Sequence, residues 1–306
     1  MMPTSYHIPV MLRETLELLI TDTKGIYADG TLGAGGHTAG LLEQLGEGAR
    51  VFGIDHDDEA LKETAGNISD SRLETIKGNF GYMSTLLPPD VHGKLSGVLL
   101  DLGVSSHQID DPARGFSFRE SGPLDMRMSN LRALSAHDVV NSYTYENLRN
   151  ILFQYGEERK SGLIAKKIVA RRPLESTEDL KACVEEVVRG PHTVKSLARV
   201  FQAIRIEVNQ ELEMLRKGLE SAADMLRPGG RLVVISYHSL EDRLVKNFFK
   251  SGNFSGKQDK DFYGNLVRPM DPMFTKPRYA TDKEISVNPR SRSARLRAAV
   301  KLEVEA

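Results

Sequence analysis

Hydrophobic residues in the first third of the chain fall into short runs that close on an acid. Gly25 to Ala28 runs into Asp29, Arg50 to Ile54 into Asp55, and Gly97 to Leu100 into Asp101. Short apolar runs bounded by glycine or charge read as buried strands. Segments with helical spacing alternate with them. An extended stretch from His7 leads into an amphipathic helix ending at Leu19, and further helices are predicted from His37 to Leu45 and from Asp57 or Asp58 to Ala65. A third strand is expected near Leu73 to Ile76, followed by Gly78-Asn79-Phe80. This alternation predicts an α/β fold with a parallel sheet.

The pattern changes after residue 111. Asp111 to Phe118 and Gly122 to Met128 carry turn residues and no sustained period, which predicts a long ordered loop, to about 145, displaying aromatics, arginines and methionines. Glu157 to Arg172 reads as a helix stopped by Pro173. Leu163, Ile164 and Ile168 form its apolar side, and Arg159, Lys160, Lys166, Lys167, Arg171 and Arg172 load the remainder. Phosphate contact and plain solvation both stand as readings of that charge. Ser176 or Thr177 caps the next helix, which ends by Gly190-Pro191. One long helical pattern then passes through Phe201, Ile204, Val208, Leu212 and Leu215 towards Leu226, and Pro228-Gly229-Gly230 breaks it. The strand Arg231 to Ser236 delivers Tyr237 to Arg243 to the same edge as Asp101. Residues 251–284 read as a loop or mobile flap, and Leu296 to Val300 as an edge strand. The division expected is a sheet domain from 1–111 and 201–306, interrupted by a helical insertion at 112–200.

The first strand's exit, Asp29-Gly30-Thr31-Leu32-Gly33-Ala34-Gly35-Gly36-His37, concentrates the candidate chemistry. Glycines there admit positive φ and leave no Cβ between main chain and ligand, and the following helix start offers N–H groups. Asp55 lies 22 residues beyond Gly33, near the ~20 of a ribose-binding carboxylate. A dinucleotide fingerprint needs a third glycine where Thr38 stands, and Asp29 would repel a pyrophosphate. Acids at 29 and 55 suit instead the ammonium and ribose diol of S-adenosylmethionine. Phe80 is placed either to pack on an adenine or to fill the core. His238 has two readings as well, a catalytic or base-contacting group and a structural hydrogen bond to backbone.

Composition narrows the picture modestly. The 306 residues are 40% hydrophobic, enough for a packed core. The single cysteine, Cys183, excludes an internal disulfide, fits a reducing compartment and sits in an apolar run, so packing is its expected role. No C-x-x-C or H-E-x-x-H spacing occurs, and no metal site is expected. No leader or spanning pattern is seen, so a soluble cytoplasmic protein is expected. The formal charge is −1, yet residues 1–110 hold 7 Lys/Arg against 16 Asp/Glu while 268–301 hold 9 against 3. A polarised chain of this kind can offer one face to a polyanion.

Several stretches together resemble one family: Asp29 to His37, Leu99 to Gln108, Arg114 to Phe118, Gly122 to Met128, Phe201 to Leu212, Ser236 to Arg243 and Asn288 to Arg297. The chain is similar to the bacterial small-subunit rRNA cytosine-N4 methyltransferases (the RsmH, formerly MraW, family). The resemblance implies a class I, Rossmann-like S-adenosylmethionine-dependent methyltransferase domain interrupted by a helical domain. It implies methyl transfer to a cytosine N4 in the decoding centre of 16S rRNA within the small ribosomal subunit, with no membrane or DNA partner. It assigns cofactor contacts to Gly35, Gly36 and His37, the ribose to Asp55, the adenine neighbourhood to Phe80, and positions along the fourth strand's exit to Asp101 and Gln108. Asp101 is the first choice for the acceptor facing the target amine, with Ser105 or His238 as helpers or proton acceptors. Related amino-methyltransferases follow that acid with Pro-Pro-aromatic, whereas this chain has Leu102-Gly103-Val104. The ring that stacks on the base is left open among Phe116, Phe118 and Tyr237. Two rivals remain, a nicotinamide dehydrogenase and a non-catalytic RNA-binding assembly factor.

Overall fold

The computed structural model describes residues 9–129 and 133–303, with Ser106 and His107 given by backbone alone. His7 and Ile8, where the extended segment was expected to begin, lie outside the described residues. Seven strands form one sheet: β1 (Ile26–Asp29), β2 (Arg50–Asp55), β3 (Leu73–Lys77), β4 (Leu95–Asp101), β5 (Leu226–Ser236), β6 (Met270–Pro272) and β7 (Arg295–Lys301). Their order is β3-β2-β1-β4-β5-β7-β6. The first five run parallel, and β7 is antiparallel to both β5 and β6. Parallel strands are usually covered on both faces, and these are. Tyr27, Val51, Leu99 and Val233 pack with Leu16, Leu19 and Leu41 on one side, while Ala28, Phe52, Val98, Leu100 and Leu232 are buried on the other.

The chain divides into two compact units, Met1–Gly103 with Leu212–Ala306, and Val104–Glu211. The first contains the sheet and the helices α1 (Leu12–Leu19), α2 (Gly36–Gln44) and α3 (Asp58–Asn67), together with the helix Ser239–Ser251. Two expectations for it need correction. The strand expected at the edge is interior, because Met270–Pro272 pairs outside β7. The segment 251–284 holds that strand, a Lys260–Leu266 bridge and a helix, Asp282–Val287. A three-residue strand containing Pro272 has no periodicity to read.

The second unit is helical, built from Ala136–Ser142, Tyr145–Gln154, Ser161–Ala170, Thr177–Val187 and Thr193–Asn209. Ser135 with Asp138 and Ser176 with Asp179 form capping boxes that start two of these helices. The helix expected from Glu157 begins only at Ser161, after Glu157 takes a left-handed φ of 50°. The long helix through Phe201 to Leu226 is two helices, split at Gln210, whose φ is 51°. Asn209, at the break, donates through Nδ2 to the Met126 carbonyl at 2.7 Å and accepts from the Met128 N–H at 2.9 Å. The apolar period continues across the break because both helices bury a face.

The loop expected to display its aromatics and methionines does the opposite. Phe116, Leu124, Met126 and Met128 are buried with Val139, Leu148, Ile168 and Cys183 in the unit's core. An irregular backbone buries apolar side chains without any repeat, so periodicity could not find them.

Candidate active site

Register explains how three acids came to be one cluster with two functions. Asp29 lies opposite Gly53 on one side and Leu99 on the other, so Asp55 and Asp101 each stand two residues further along the neighbouring strands. Side chains alternate with period two, which turns all three carboxylates to the same face. β1 therefore stops short between two longer strands, and the glycine turn occupies the gap.

Asp29, expected to meet a ligand's ammonium, sits behind that gap. It is 1% exposed. Its carboxylate accepts from the Thr31 N–H at 3.1 Å and the Thr38 hydroxyl at 2.8 Å. Burial pushes its carboxyl up, against the pull of His37, Thr38 and Thr31. The ligand-contact reading is corrected accordingly: Asp29 holds the turn. Thr38, noted only as an absent glycine, is the residue that ties α2 to it.

Asp55 is half-buried at the rim. One oxygen accepts from the Gly33 N–H at 2.8 Å and the other from the Asp57 N–H at 2.9 Å. Each carboxylate oxygen has a second lone pair, so the group is oriented while still able to accept from a diol. Gly35 takes φ 83° as the N-cap of α2, and a Cβ there would come within 2.7 Å of Ile68. Having no side chain, it leaves the first amides of α2 without a side-chain cap, and a helix start of this kind can receive an anionic group. A Cβ on Gly36 would come within 2.6 Å of the Pro9 ring, so the segment before α1 closes over the turn. Phe80 is half-buried, with its ring directly against the backbone of Gly218.

Asp101 is partly buried at the rim. Its side chain is 23% exposed. Burial pushes its carboxyl up to about 6, opposed by the nearby His37 and by the Tyr237 hydrogen bond, with Asp29 and Glu241 adding repulsion. The Tyr237 hydroxyl donates to Oδ1 at 2.8 Å, and the Asp101 N–H donates to the Thr31 hydroxyl oxygen at 2.6 Å. His37 Nδ1 stands 3.6 Å from Oδ2. The other ring nitrogen, Nε2, lies 3.0 Å from the Val10 carbonyl. A carbonyl only accepts, so Nε2 carries a proton, and the Nδ1–Oδ2 approach is attractive when a proton lies on one of those two atoms.

The Tyr237 hydroxyl is thus committed to Asp101, and its ring is partly buried. Burial and the Asp101 charge raise its phenol well above the ordinary range, which keeps it a donor. Its N–H and that of His238 are both received by Glu241 Oε2, at 2.9 and 3.3 Å. His238 caps the helix Ser239–Ser251 through its ring, with Nε2 3.1 Å from Glu241 Oε1. No spacing rule marks Tyr237 or Glu241 in advance; they reach the site because Ile235 pairs with Asp101.

Ser105 and Gln108 belong to the second unit. The Gln108 N–H donates to Ser105 Oγ at 3.1 Å, and the Ser105 N–H to Gln108 Oε1 at 3.0 Å. This reciprocal cap opens the helix Ser106–Asp110. Phe118 is engaged edge-on with Phe201 at 5.3 Å and Phe116 is buried, so both remaining stacking candidates serve that unit's core. Of the basic face, Lys167 and Arg171 pair with Glu186, and Arg172 donates to the carbonyls of Val140 and Tyr143. Arg159 and Lys166 are exposed. On the helix Tyr145–Gln154, Tyr145, Arg149 and Phe153 are exposed at four-residue spacing, which places them on one face.

Among the described residues, no helix is long and apolar enough to cross a membrane. Comparison with known proteins identifies the family. Ribosomal RNA small subunit methyltransferase H of Bacteroides fragilis is 44% identical over 301 residues, covering 97% of this chain and 98% of that one. The protein of the same name from Parabacteroides distasonis is 46% identical over 301 residues with the same coverage. Among solved structures, a putative rRNA methylase from Clostridium thermocellum aligns over 98% of this chain and 100% of that one at 14% identity, with a TM-score of 0.45. The model of the MraW methylase family matches residues 4–302, and the chain belongs to that family.

Proposed function

We propose that this protein transfers a methyl group to the exocyclic N4 of a cytosine in the decoding centre of 16S rRNA, acting in the cytoplasm on the small ribosomal subunit. S-adenosylmethionine is the cofactor of this methyltransferase, and when bound it supplies an electrophilic methyl on a sulfonium. The residues present fit it. The uncapped amides at Gly36 and His37 suit its carboxylate, Asp55 its ribose diol, and Phe80 its adenine. Gln108 is assigned to the same cofactor by the family resemblance.

The observation that carries the reading is Asp101 at the sheet's rim, its carboxyl pushed up to about 6 by burial and oriented by the Tyr237 hydroxyl. A cytosine amine is a poor nucleophile because its lone pair is delocalised into the ring. An acceptor aimed at its N–H groups favours pyramidalisation and stabilises the positive charge that develops as the N–C bond forms. Above pH 6, Asp101 is ionised and accepts that hydrogen bond, then the proton that the methylated nitrogen releases. Tyr237, held by Glu241, fixes the carboxylate's direction. His238 acts by locking Glu241 and the start of its helix, and Ser105 by fixing Gln108. Proximity of amine and methyl provides the rest of the acceleration, and the base must be unpaired or turned out to reach the rim. Tyr145, Arg149 and Phe153 with Lys166 form the face of the helical unit offered to RNA, since aromatic rings interleaved with cations suit single strands.

The test is methyl transfer from labelled S-adenosylmethionine to small subunits lacking the modification, with the product nucleoside identified by mass spectrometry. N4-methylcytidine is expected. Label in another nucleoside, or none, overturns the assignment.

A further inference from the structure

The segment joining the helix Ser239–Ser251 to β6 contains a built turn with two aromatic rings in water. Phe262 is 98% and Tyr263 86% exposed. Exposure of this degree is unusual for neighbouring rings and marks an interaction site. The turn that carries them is ordered by other residues. Lys260 bridges Leu266 in antiparallel fashion. The Asp261 N–H donates to the Asn265 carbonyl at 2.9 Å, and the Val267 N–H to the Asp259 carbonyl at 2.9 Å. Asp261 Oδ1 accepts from the N–H groups of Tyr263 and Asn265 at 2.9 and 2.8 Å, and Oδ2 from Asn265 Nδ2 at 3.0 Å. The rings are thus presented by the turn and contribute little to holding it.

Charge identifies the partner. Residues 246–268 hold five Lys/Arg against two Asp/Glu; Arg268 is paired with Asp271, and the Asp261 carboxylate is engaged by its own turn. Lys257 and Lys260, five and two residues before Phe262, are exposed. The ring centroids lie 5.7 Å apart with planes at 87°, so each ring offers a π face in its own direction. Cations for the backbone combined with open π faces for bases are the elements of single-strand binding.

We propose that the Asp259–Val267 turn is a stacking finger that engages unpaired bases of the RNA substrate through Phe262 and Tyr263. This rests on the reading of the substrate as 16S rRNA. The full-length chain, the Phe262→Ala/Tyr263→Ala double variant and the ring-preserving Phe262→Tyr/Tyr263→Phe variant are compared. Affinity for protein-free 16S rRNA and for small subunits is measured at fixed salt, alongside S-adenosylmethionine affinity as a control for folding. The alanine pair is expected to bind both RNA forms about tenfold or more weakly, with S-adenosylmethionine affinity as in the parent and the ring-preserving pair close to it. Equal RNA affinity for parent and alanine pair overturns the finger, as does a ring-preserving pair as weak as the alanine pair. Loss confined to intact subunits would make the partner a ribosomal protein, and a changed oligomeric state would make it a second copy; either overturns the proposal. A parent chain that binds RNA through these rings yet transfers no methyl overturns the proposed function alone.

Discussion

The sheet unit and the helical unit spend their polar residues differently. At the rim of the sheet, Asp55 and Asp101 are held by one or two short hydrogen bonds and keep capacity outward. In the helical unit the corresponding groups are turned inward. Asn209 ties Met126 to Met128, Arg172 serves two carbonyls, and Ser105 and Gln108 cap one another. At the rim, Asp55 and Asp101 read as chemistry, whereas the withdrawn Asp29 and the inward-turned Asn209 and Arg172 read as architecture. The difference follows from backbone supply. Strands satisfy their own N–H and C=O groups along the ladder, whereas an irregular segment such as 111–129 must recruit side chains to do so.

Substitutions that respect this division should separate transfer from stability. The largest effect is expected for Asp101→Ala, a loss of about 10²–10³-fold in methyl transfer or more, with S-adenosylmethionine binding still measurable by calorimetry; undiminished transfer would remove Asp101 from the chemistry. Next comes pH. The Asp101 carboxyl titrates near 3.8 in an unperturbed chain and about 6 when folded. Folding therefore takes up a proton between these values, and the Asp101 contribution to stability falls as pH rises through that window, then stays flat. Transfer should do the reverse, rising through an apparent pKa near 6 as the acceptor ionises. Tyr237→Phe removes a hydrogen bond that lowers this value, so the acid limb should move to higher pH and the rate fall by roughly tenfold, in the range of one positioned hydrogen bond. A profile that ignores the substitution would break the Tyr237–Asp101 link.

In the helical unit the order of effects inverts. Asn209→Ala leaves a buried N–H and a carbonyl unmet and should cost about 1–3 kcal/mol in denaturant unfolding, without altering S-adenosylmethionine affinity. Arg171→Ala, on an exposed pair with Glu186, is expected to change stability by less than about 1 kcal/mol. A larger loss would mean that the Lys167–Glu186–Arg171 group acts as a network.

The sheet was legible because its signals are local. β1, β2 and β4 lie within a residue or two of the runs that end on Asp29, Asp55 and Asp101, and Ser176 caps the helix assigned to it. The breaks that went unseen, at Gln210 and around Met270, lack such signals. A left-handed residue next to an asparagine tied to a distant loop leaves no trace in periodicity, and neither does a strand of three residues.

What the amino-acid order determined unaided was the kind of protein: strands closing on acids, a glycine turn with no third glycine, and motifs distributed along nearly the whole chain. Tertiary structure decided which acid does what. The pairing register withdraws Asp29 by two residues into the sheet and leaves Asp55 and Asp101 at the rim, and only packing across strands could bring the Tyr237 hydroxyl to Asp101. Spacing along a chain counts residues, whereas burial and hydrogen bonding depend on neighbours that the chain supplies from 136 positions away.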